Sequence, residues 1–149
     1  MKVKDLMRTN VTFLKESATF NDIAREMISK DIGFIPICND QGNILGAITD
    51  RDLMIKAFDT KENTNSIRAK DIMTRNLTVI SANDDIHQVS LIFSKSKVHR
   101  LPVVENKRLV GILSISDLAK HRIYLSEVGN ILHYISISDL INTKERSKK

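Results

Sequence analysis

Two stretches of the sequence place a hydroxyl and a carboxylate three residues apart, a spacing that could hold a polar ligand. GAITDRDL contains Thr49 and Asp52, and GILSISDL contains Ser114 and Asp117. In both, a strand candidate ends where a helix candidate begins, so the hydroxyl, the carboxylate and free backbone N–H groups would face one cleft. Helix N-termini attract phosphate, and a carboxylate can accept both hydroxyls of a ribose. These residue types therefore fit the recognition of a nucleotide.

The same spacing also suits a helix cap that binds no ligand. A Ser or Thr followed three residues later by an acidic residue satisfies backbone N–H groups at a helix start. For a single copy, the cap is the better interpretation. Here each copy follows a glycine and a proline-bearing apolar segment, Phe34–Cys38 (FIPIC) and Arg100–Val104 (RLPVV), at matched spacing. The repetition favours a binding site.

The two stretches belong to a tandem duplication. An offset of 66 residues pairs Lys4–Met7 with Lys70–Met73, and after a turn the offset falls to 65 and pairs Thr49 with Ser114. Two copies are too few for an open solenoid, so a closed pair is expected. We predict repeat 1 over 1–62, a linker over 63–69, repeat 2 over 70–125, and a C-terminal helical extension with a basic tail over 126–149.

Hydrophobic periodicity predicts the same β-α-β-β-α order in both repeats, an α/β (α+β) fold. The elements predicted for repeat 1 are a strand over Val11–Leu14, a helix from Phe20 to Ile28, a hairpin of Phe34–Cys38 and Ile44–Ile48, and a helix from Asp50 to Phe58. Those predicted for repeat 2 are a strand over Leu77–Ile80, a helix from Ile86 to Phe93, a hairpin of Arg100–Val104 and Leu109–Leu113, and a further helix.

Two local features refine this prediction. Because proline donates no backbone hydrogen bond, the strands that contain Pro36 and Pro102 are expected to leave an open edge there. Near the C-terminus, the apolar spacing of Val128, Ile131 and Ile135 indicates a helix, whereas Ser136–Ile141 is compatible with a helix or a strand.

Composition restricts the class of protein. The chain has 149 residues, of which 42% are hydrophobic and 28% are charged, values typical of a globular protein. No apolar run reaches the roughly 18 residues of a membrane span, and the N-terminus lacks a signal-peptide core, so we expect a cytoplasmic protein. The net charge is +5, and residues 144–149 carry +3 of it. A frayed, solvated basic tail is therefore expected, and the case for nucleic-acid binding is weak.

Motifs of catalysis and metal binding do not occur in the sequence. Cys38 is the single cysteine and lies in an apolar strand candidate, and His87, His121 and His133 stand singly rather than at metal-ligand spacing. No nucleophile is accompanied by a base, and there is neither a P-loop nor a glycine-rich dinucleotide motif. We therefore expect a protein that is not an enzyme and holds neither a metal nor a resident cofactor.

The pair of repeats, with FIPIC and HRLPVV leading to GAITDRDL and GILSISDL, resembles a tandem of CBS domains. This cystathionine-β-synthase type module pairs into what is called a Bateman module, and the resemblance covers residues 1–125. It implies two repeats packed through their sheets with pseudo-twofold symmetry, and clefts between them that bind AMP, ATP or S-adenosylmethionine. It also implies that Asp52 and Asp117 bind ribose, with Thr49 and Ser114 contacting ribose or phosphate.

The resemblance also implies that the two clefts differ. His99-Arg100-Leu101-Pro102 is similar to a segment of the γ subunits of AMP-activated kinase whose His and Arg reach phosphate. Repeat 1 has Gly33 and Phe34 in place of His99 and Arg100, and Asp50 adds a negative charge there. The second cleft is thus expected to be the better phosphate site. The predicted ligand-binding residues are Thr12, Ile35, Pro36, Thr49 and Asp52 in repeat 1, and Thr78, His99, Arg100, Leu101, Pro102, Ser114, Asp117 and Lys120 in repeat 2.

Taken together, these features predict a regulatory module that senses an adenine nucleotide. AMP, ADP or ATP is favoured over S-adenosylmethionine, because positive side chains suit an anionic ligand. The state would pass to an effector protein or across a homodimer, for which the resemblance implies contact through helices. The alternative is a DNA-associated or protein-interaction regulator that uses the basic tail, with its clefts empty or vestigial.

Overall fold

The structure of the chain is a computed structural model that describes residues 1–59 and 63–146, with side chains described as far as Asn142. Its helices and strands follow one another in the order α1 (Phe20–Lys30), β1 (Phe34–Cys38), β2 (Ile44–Thr49), α2 (Asp50–Asp59), α3 (Ala69–Ile72), α4 (Ile86–Ser96), β3 (Arg100–Glu105), β4 (Arg108–Ser114), α5 (Ile115–Ala119) and α6 (Leu125–Arg146). Short 3₁₀ turns at Val3–Asp5, Thr64–Ser66 and Arg122–Tyr124 complete the described elements.

The chain forms two compact units, and neither consists of one sequence repeat alone. The first-repeat unit comprises Asn10–Leu77 together with Val104–Leu109. The second-repeat unit comprises Met1–Thr9, Thr78–Val103 and the chain from Val110 onward. The opening segment of each repeat is therefore built into the unit that carries the other repeat's hairpin and helices.

The first-repeat unit is organised around an antiparallel hairpin. Strands β1 and β2 pair from Phe34 with Thr49 to Cys38 with Ile44, and a bulge between Ile37 and Cys38 shifts the register. Helix α1 begins at a cap in which Thr19 and Asp22 exchange hydrogen bonds. The buried apolar residues of this unit are Ile23, Met27, Ile35, Ile37, Ile48, Leu53, Ala69 and Met73.

The second-repeat unit has the larger core. Helices α4 and α6 pack against each other, and α6 buries Val128, Ile131 and Ile135, which share one helical face. The remaining buried apolar residues of this core are Val3, Ile80, Ile86, Val89, Phe93, Leu101, Val103, Leu113, Ile115, Leu118 and Tyr124. The predicted helical apolar spacing after Leu118 thus corresponds to packing within this unit.

The predicted α+β class and the two similar repeats are confirmed, but the first strand of each repeat is wrong. In place of a strand over Val11–Leu14 there is one bridging residue, Leu14, opposite Ile37. In place of a strand over Leu77–Ile80, only Ile80 forms a bridge, opposite Val103. A short apolar run is typical of a paired strand, but only one residue of each run pairs with a strand.

The expectation that the strand edges at the prolines are open is also wrong, because both proline carbonyls accept a hydrogen bond. The Leu14 N–H donates to the Pro36 carbonyl over 3.0 Å, and the Ile80 N–H donates to the Pro102 carbonyl over 3.0 Å. Proline lacks a donor but keeps its acceptor. The bridging residue of each repeat therefore covers the proline edge that the sequence left open.

The C-terminal segment forms one helix. Helix α6 includes Gly129 without interruption and settles Ser136–Ile141 as helical. Its backbone is helical through residues 144–146 of the predicted basic tail, and residues 147–149 lie outside the described part of the chain. In the predicted linker, Ile67 and Ala69 are buried, which anchors this stretch to the first-repeat unit.

The described helices include none that is both long enough and apolar enough to cross a membrane.

Glycine is required where each unit receives the opening segment of a repeat. A Cβ on Gly111 would lie 2.9 Å from the Arg8 carbonyl oxygen, and one on Gly46 would lie 2.7 Å from the Thr74 carbonyl oxygen. Real Cβ atoms do not approach backbone oxygens so closely, so one of the two chains would have to move. These glycines let strands β4 and β2 accept their neighbouring segments.

We predict that Gly111→Ala and Gly46→Ala each lower the free energy of unfolding by about 1–3 kcal/mol through overpacking. Gly129→Ala is the control, because no described atom beyond the local backbone of α6 lies within 4 Å of its Cβ position. In the interior of α6 it should stabilise the protein by about 0.5–1 kcal/mol. Urea denaturation measures all three variants, and wild-type stability in Gly111→Ala would contradict the close approach.

Candidate functional site

The Asp117 carboxylate is the most buried charge among the predicted binding residues, with 3% of the side chain exposed. Its Oδ2 accepts the Ser114 backbone N–H over 3.0 Å and the Ser114 hydroxyl as well. The Asp117 N–H in turn donates to Ser114 Oγ over 3.2 Å. Strand β4 ends and helix α5 begins at Ser114, so this reciprocal pair is the cap of α5.

The other carboxylate oxygen of Asp117 accepts hydrogen bonds from two cationic side chains. Arg8 Nε donates to Oδ1 over 3.0 Å, and Lys120 Nζ donates to the same oxygen over 2.9 Å. A carboxylate has about four acceptor positions. The four donors from Arg8, Lys120 and Ser114 therefore saturate Asp117 in this structure. We call Asp117 and its neighbours the second-repeat site.

Charge compensation decides the protonation state of Asp117. Burial by itself raises the pKa of this carboxyl, but the hydrogen bonds from Ser114, Lys120 and Arg8 outweigh burial, and the pKa lies below its ordinary value of 3.8. The carboxylate is thus ionised at neutral pH. With one negative and two positive charges, the Arg8–Asp117–Lys120 triad carries a net charge of +1.

The backbone fixes the position of Arg8. Its N–H and carbonyl form two 2.9 Å hydrogen bonds with the backbone of Ile112, which lies beside Gly111 in β4. The Arg8 side chain is 59% exposed and that of Lys120 is 63% exposed. The backbone of Arg8 is therefore held in place, while the side chains of both cations remain in contact with solvent.

The other predicted residues of the second repeat lie in the same unit. Leu101 and Pro102 are buried in β3, whereas Thr78, His99 and Arg100 are exposed. The His99 carbonyl accepts the Ile115 N–H over 3.1 Å at the start of α5. Within the described part of the chain, the side chains of His99 and Arg100 make no ion pair, so the structure does not join them to Asp117.

The first-repeat site repeats the cap without the cations. Asp52 Oδ2 accepts the Thr49 N–H over 2.8 Å, and the Asp52 N–H donates to Thr49 Oγ1 over 3.2 Å. Ile35 and Pro36 are buried in β1, and Thr12 accepts a hydrogen bond from Lys30 over 3.1 Å. In the described residues, Asp52 forms no ion pair.

Asp52 borders an acidic depression of about 200 Å³. Three carboxylates and one ammonium group line it, together with two isoleucines: Asp52, Asp59, Asp71, Lys56, Ile55 and Ile72. Since like charges repel, the depression is a poor receptor for phosphate. The two sites thus share a backbone arrangement and differ in charge.

Position 33, the counterpart of His99, lies directly beside the Asp50 carboxylate. A Cβ on Gly33 would lie 2.9 Å from a carboxylate oxygen of Asp50, and the Asp50 N–H donates to the Gly33 carbonyl over 3.1 Å. In the second repeat, the corresponding hydrogen bond joins Ile115 to His99, and no carboxylate occupies the equivalent place. A larger side chain at position 33 would therefore require the Asp50 carboxylate to turn away.

Capping alone does not identify a binding site in this chain. Thr19 and Asp22 at the start of α1 form the same reciprocal pair as Thr49 and Asp52. The cap interpretation is thus correct for the backbone at all of these positions. Burial and the two cations distinguish Asp117 from the other capping carboxylates.

Sequence reasoning included Lys120 but missed Arg8. These two residues contact one carboxylate, although Arg8 is 109 positions before Asp117. The 66-residue offset pairs Arg8 with Thr74, and the 65-residue offset pairs Lys120 with Ile55. Comparing the two repeats could have revealed Arg8, because at both positions repeat alignment pairs a cation with a neutral residue.

The chain matches the sequence model of a known protein family. The model of the CBS domain matches residues 3–58 and again residues 69–124. The chain belongs to the CBS domain family. The two matched CBS segments contain both capped carboxylates, Asp52 and Asp117.

Curated and solved CBS relatives resemble the chain over most of its length. Hypoxic response protein 1 of Mycobacterium tuberculosis is 33% identical over 118 residues, which are 79% of this chain and 82% of the relative. The crystal structure of Hypoxic Response Protein I with two coordinated zinc ions has a TM-score of 0.73 and 32% identity, covering 81% of this chain and 98% of that one. Uncharacterized protein YlbB of Bacillus subtilis is 29% identical over 139 residues, 93% of either chain.

A further CBS domain pair, that of protein MJ0100, was solved in complex with 5′-methylthioadenosine and S-adenosylmethionine. It has a TM-score of 0.71 and 25% identity, and covers 80% of this chain and 98% of that chain. In the described residues of this chain, no group of three or more His, Cys, Asp or Glu side chains could hold a metal ion.

The capped carboxylates lead to a paired prediction about stability. Because the folded-state pKa of Asp117 is lowered, its stabilising contribution is present above pH 3.8 and is lost as the pH falls through the folded-state value. Asp117→Asn should lower the free energy of unfolding at pH 7 by about 1.5–3 kcal/mol, as expected for hydrogen bonds to a charged group. The difference from wild type should shrink in acid.

Asp52→Asn is the matched control. It disturbs an equivalent cap without cations and should cost only about 1 kcal/mol at pH 7. Denaturation curves at pH 7 and below pH 4 measure both variants. Equal losses in the two variants would refute the role assigned to Arg8 and Lys120.

Proposed function

We propose that this CBS pair is a regulatory module that binds an adenine nucleotide, AMP, ADP or ATP, and has no catalytic activity of its own. The observation that carries the proposal is Asp117, a buried, ionised carboxylate that two cations approach at the junction of β4 and α5. In the bound state, Asp117 accepts the hydroxyls of the ribose, and Ser114 contacts ribose or phosphate. Asp52 and Thr49 have the corresponding roles in the first-repeat site.

The ligand class is supported by a relative. The CBS pair of MJ0100 was solved with two ligands that share an adenosine group. A ribose has two neighbouring hydroxyls, and one carboxylate can accept both. The repeated hydroxyl and carboxylate of this chain supply that chemistry twice, once in each unit.

Charge favours a nucleotide over S-adenosylmethionine. Arg8 and Lys120 are next to Asp117, and Arg100 and His99 are exposed in the same unit. Phosphate interacts favourably with such cations, whereas the sulfonium of S-adenosylmethionine is itself positive. Thr78, Leu101 and Pro102 complete the proposed second-repeat site, and Thr12, Ile35 and Pro36 complete the first.

Regulation requires that the ligand bind two arrangements of the protein unequally. We propose that the state passes across a homodimer or to an effector protein. Helix α6 supports such a contact, because Tyr134, Ile137, Leu140 and Ile141 expose apolar surface beyond the face that packs on the core. Exposed apolar residues grouped on one element are typical of protein interfaces.

A thermal-shift panel tests the proposed ligand. A nucleotide at about 100 times its dissociation constant should stabilise the fold by about 2.7 kcal/mol and raise the melting temperature by several degrees. AMP, ADP and ATP should give larger shifts than S-adenosylmethionine. Asp117→Ala should remove most of the nucleotide shift, and Asp52→Ala should remove less.

Cys38→Ala serves as a control for general destabilisation, because Cys38 is buried in β1 and is not among the proposed binding residues. It should lower the melting temperature and keep the ligand shift. Unchanged melting with all four ligands at millimolar concentration would count against the proposal. A larger loss in Asp52→Ala than in Asp117→Ala would reverse the proposed order of the sites.

A further inference from the structure

Arg8 and Lys120 block the oxygen of Asp117 that a ribose needs. Oδ1 accepts Arg8 Nε over 3.0 Å and Lys120 Nζ over 2.9 Å, while Oδ2 is held by the cap with Ser114. A ribose hydroxyl can donate to Oδ1 only when at least one of the two cations leaves it. Since both cations are more than half exposed, they can turn without disturbing the core.

From this geometry we infer that Arg8 and Lys120 make the second-repeat site selective for nucleotides over nucleosides. This inference rests on the proposed function and adds the determinant of its specificity. The phosphate of a nucleotide attracts both cations, and Asp117 is then open to the ribose. A nucleoside offers no anion, so it must separate the charges of the triad without compensation.

The first-repeat site shows the same construction without the block. Thr74 is the counterpart of Arg8, and both residues bridge to a β-strand by backbone hydrogen bonds, Thr74 to Ala47 and Arg8 to Ile112. The counterpart of Lys120 is Ile55, which lies on the acidic depression beside Asp52. Among the described residues no cation is paired with Asp52, so its carboxylate is open to a ribose, and the single ammonium group of the depression, that of Lys56, is outnumbered by three carboxylates.

This contrast makes Arg8 a specificity-determining residue in addition to a partner that compensates the buried Asp117 charge. Its backbone hydrogen bonds hold the segment in any variant, because they do not involve the side chain. Replacing the side chain removes one cation from Asp117 and one partner from phosphate. Binding of a nucleoside and of a nucleotide should then change in opposite directions, which a loss of stability alone cannot produce.

The test is isothermal titration with adenosine and AMP in an Asp52→Ala background, so that binding reports the second-repeat site. In this background AMP should bind at least about tenfold more tightly than adenosine, the factor expected for charge-assisted hydrogen bonds. Adding Arg8→Gln should strengthen adenosine binding, weaken AMP binding and reduce the preference by about tenfold. Lys120→Gln should act in the same direction.

Arg75→Gln is the matched control. Arg75 follows Thr74, is exposed, and pairs with Glu16 over 3.5 Å, so its loss should leave the preference unchanged. AMP binding with an unaltered preference in both Arg8→Gln and Lys120→Gln would overturn the inference alone. AMP binding to wild type but not to Asp52→Ala protein would also overturn it, because the ligand would then occupy the first-repeat site. Failure of wild type to bind AMP, ADP, ATP or adenosine would overturn the proposed function and this inference together.

Discussion

The ionised Asp117 carboxylate is the constraint on which the second-repeat unit depends. A charge that is 3% exposed is costly unless hydrogen bonds and opposite charges compensate it. Here the compensation comes from three places in the sequence: the end of β4, the residue after α5, and Arg8 in the opening segment of the chain. Asp117 thereby links the N-terminal segment to the helix cap of its unit.

Duplication preserved the backbone of the two sites and changed their charge. Both repeats keep the strand-to-helix cap, the close approach at glycine, and the bridge to the opening segment of the other repeat. The side chains on this framework diverged, so that Asp117 is surrounded by cations and Asp52 borders other carboxylates. A protein built in this way presents two similar capped carboxylates in surroundings of different charge.

Local patterns predicted the fold well where turn residues mark the element ends. Strand β1 has the predicted bounds, because the apolar segment around Pro36 and the polar turn after Cys38 are both visible in the sequence. The sequence did not predict that Leu14 and Ile80 each form a single-residue bridge, because one paired residue produces no periodic pattern. The sequence left Ser136–Ile141 open because α6 has apolar residues on several faces.

The candidate site was predicted in part for a similar reason. The hydroxyl and carboxylate lie within one helical turn, so their pairing follows from spacing. The contact between Arg8 and Asp117 spans 109 positions and depends on how the opening segment enters the unit. The turn in repeat 2 also shows why the offset changes: Asn106 and Lys107 both have positive φ, which fits a two-residue hairpin turn.

A crystal structure of the protein with AMP would test the central claim most directly, namely that Asp117 recognises the ribose of a nucleotide while the neighbouring cations bind its phosphate. We predict ribose hydroxyls within hydrogen-bond distance of Asp117 Oδ1 and the phosphate beside Arg8 or Lys120. AMP bound away from Asp117, or Asp117 still accepting from both cations with AMP present, would contradict the account.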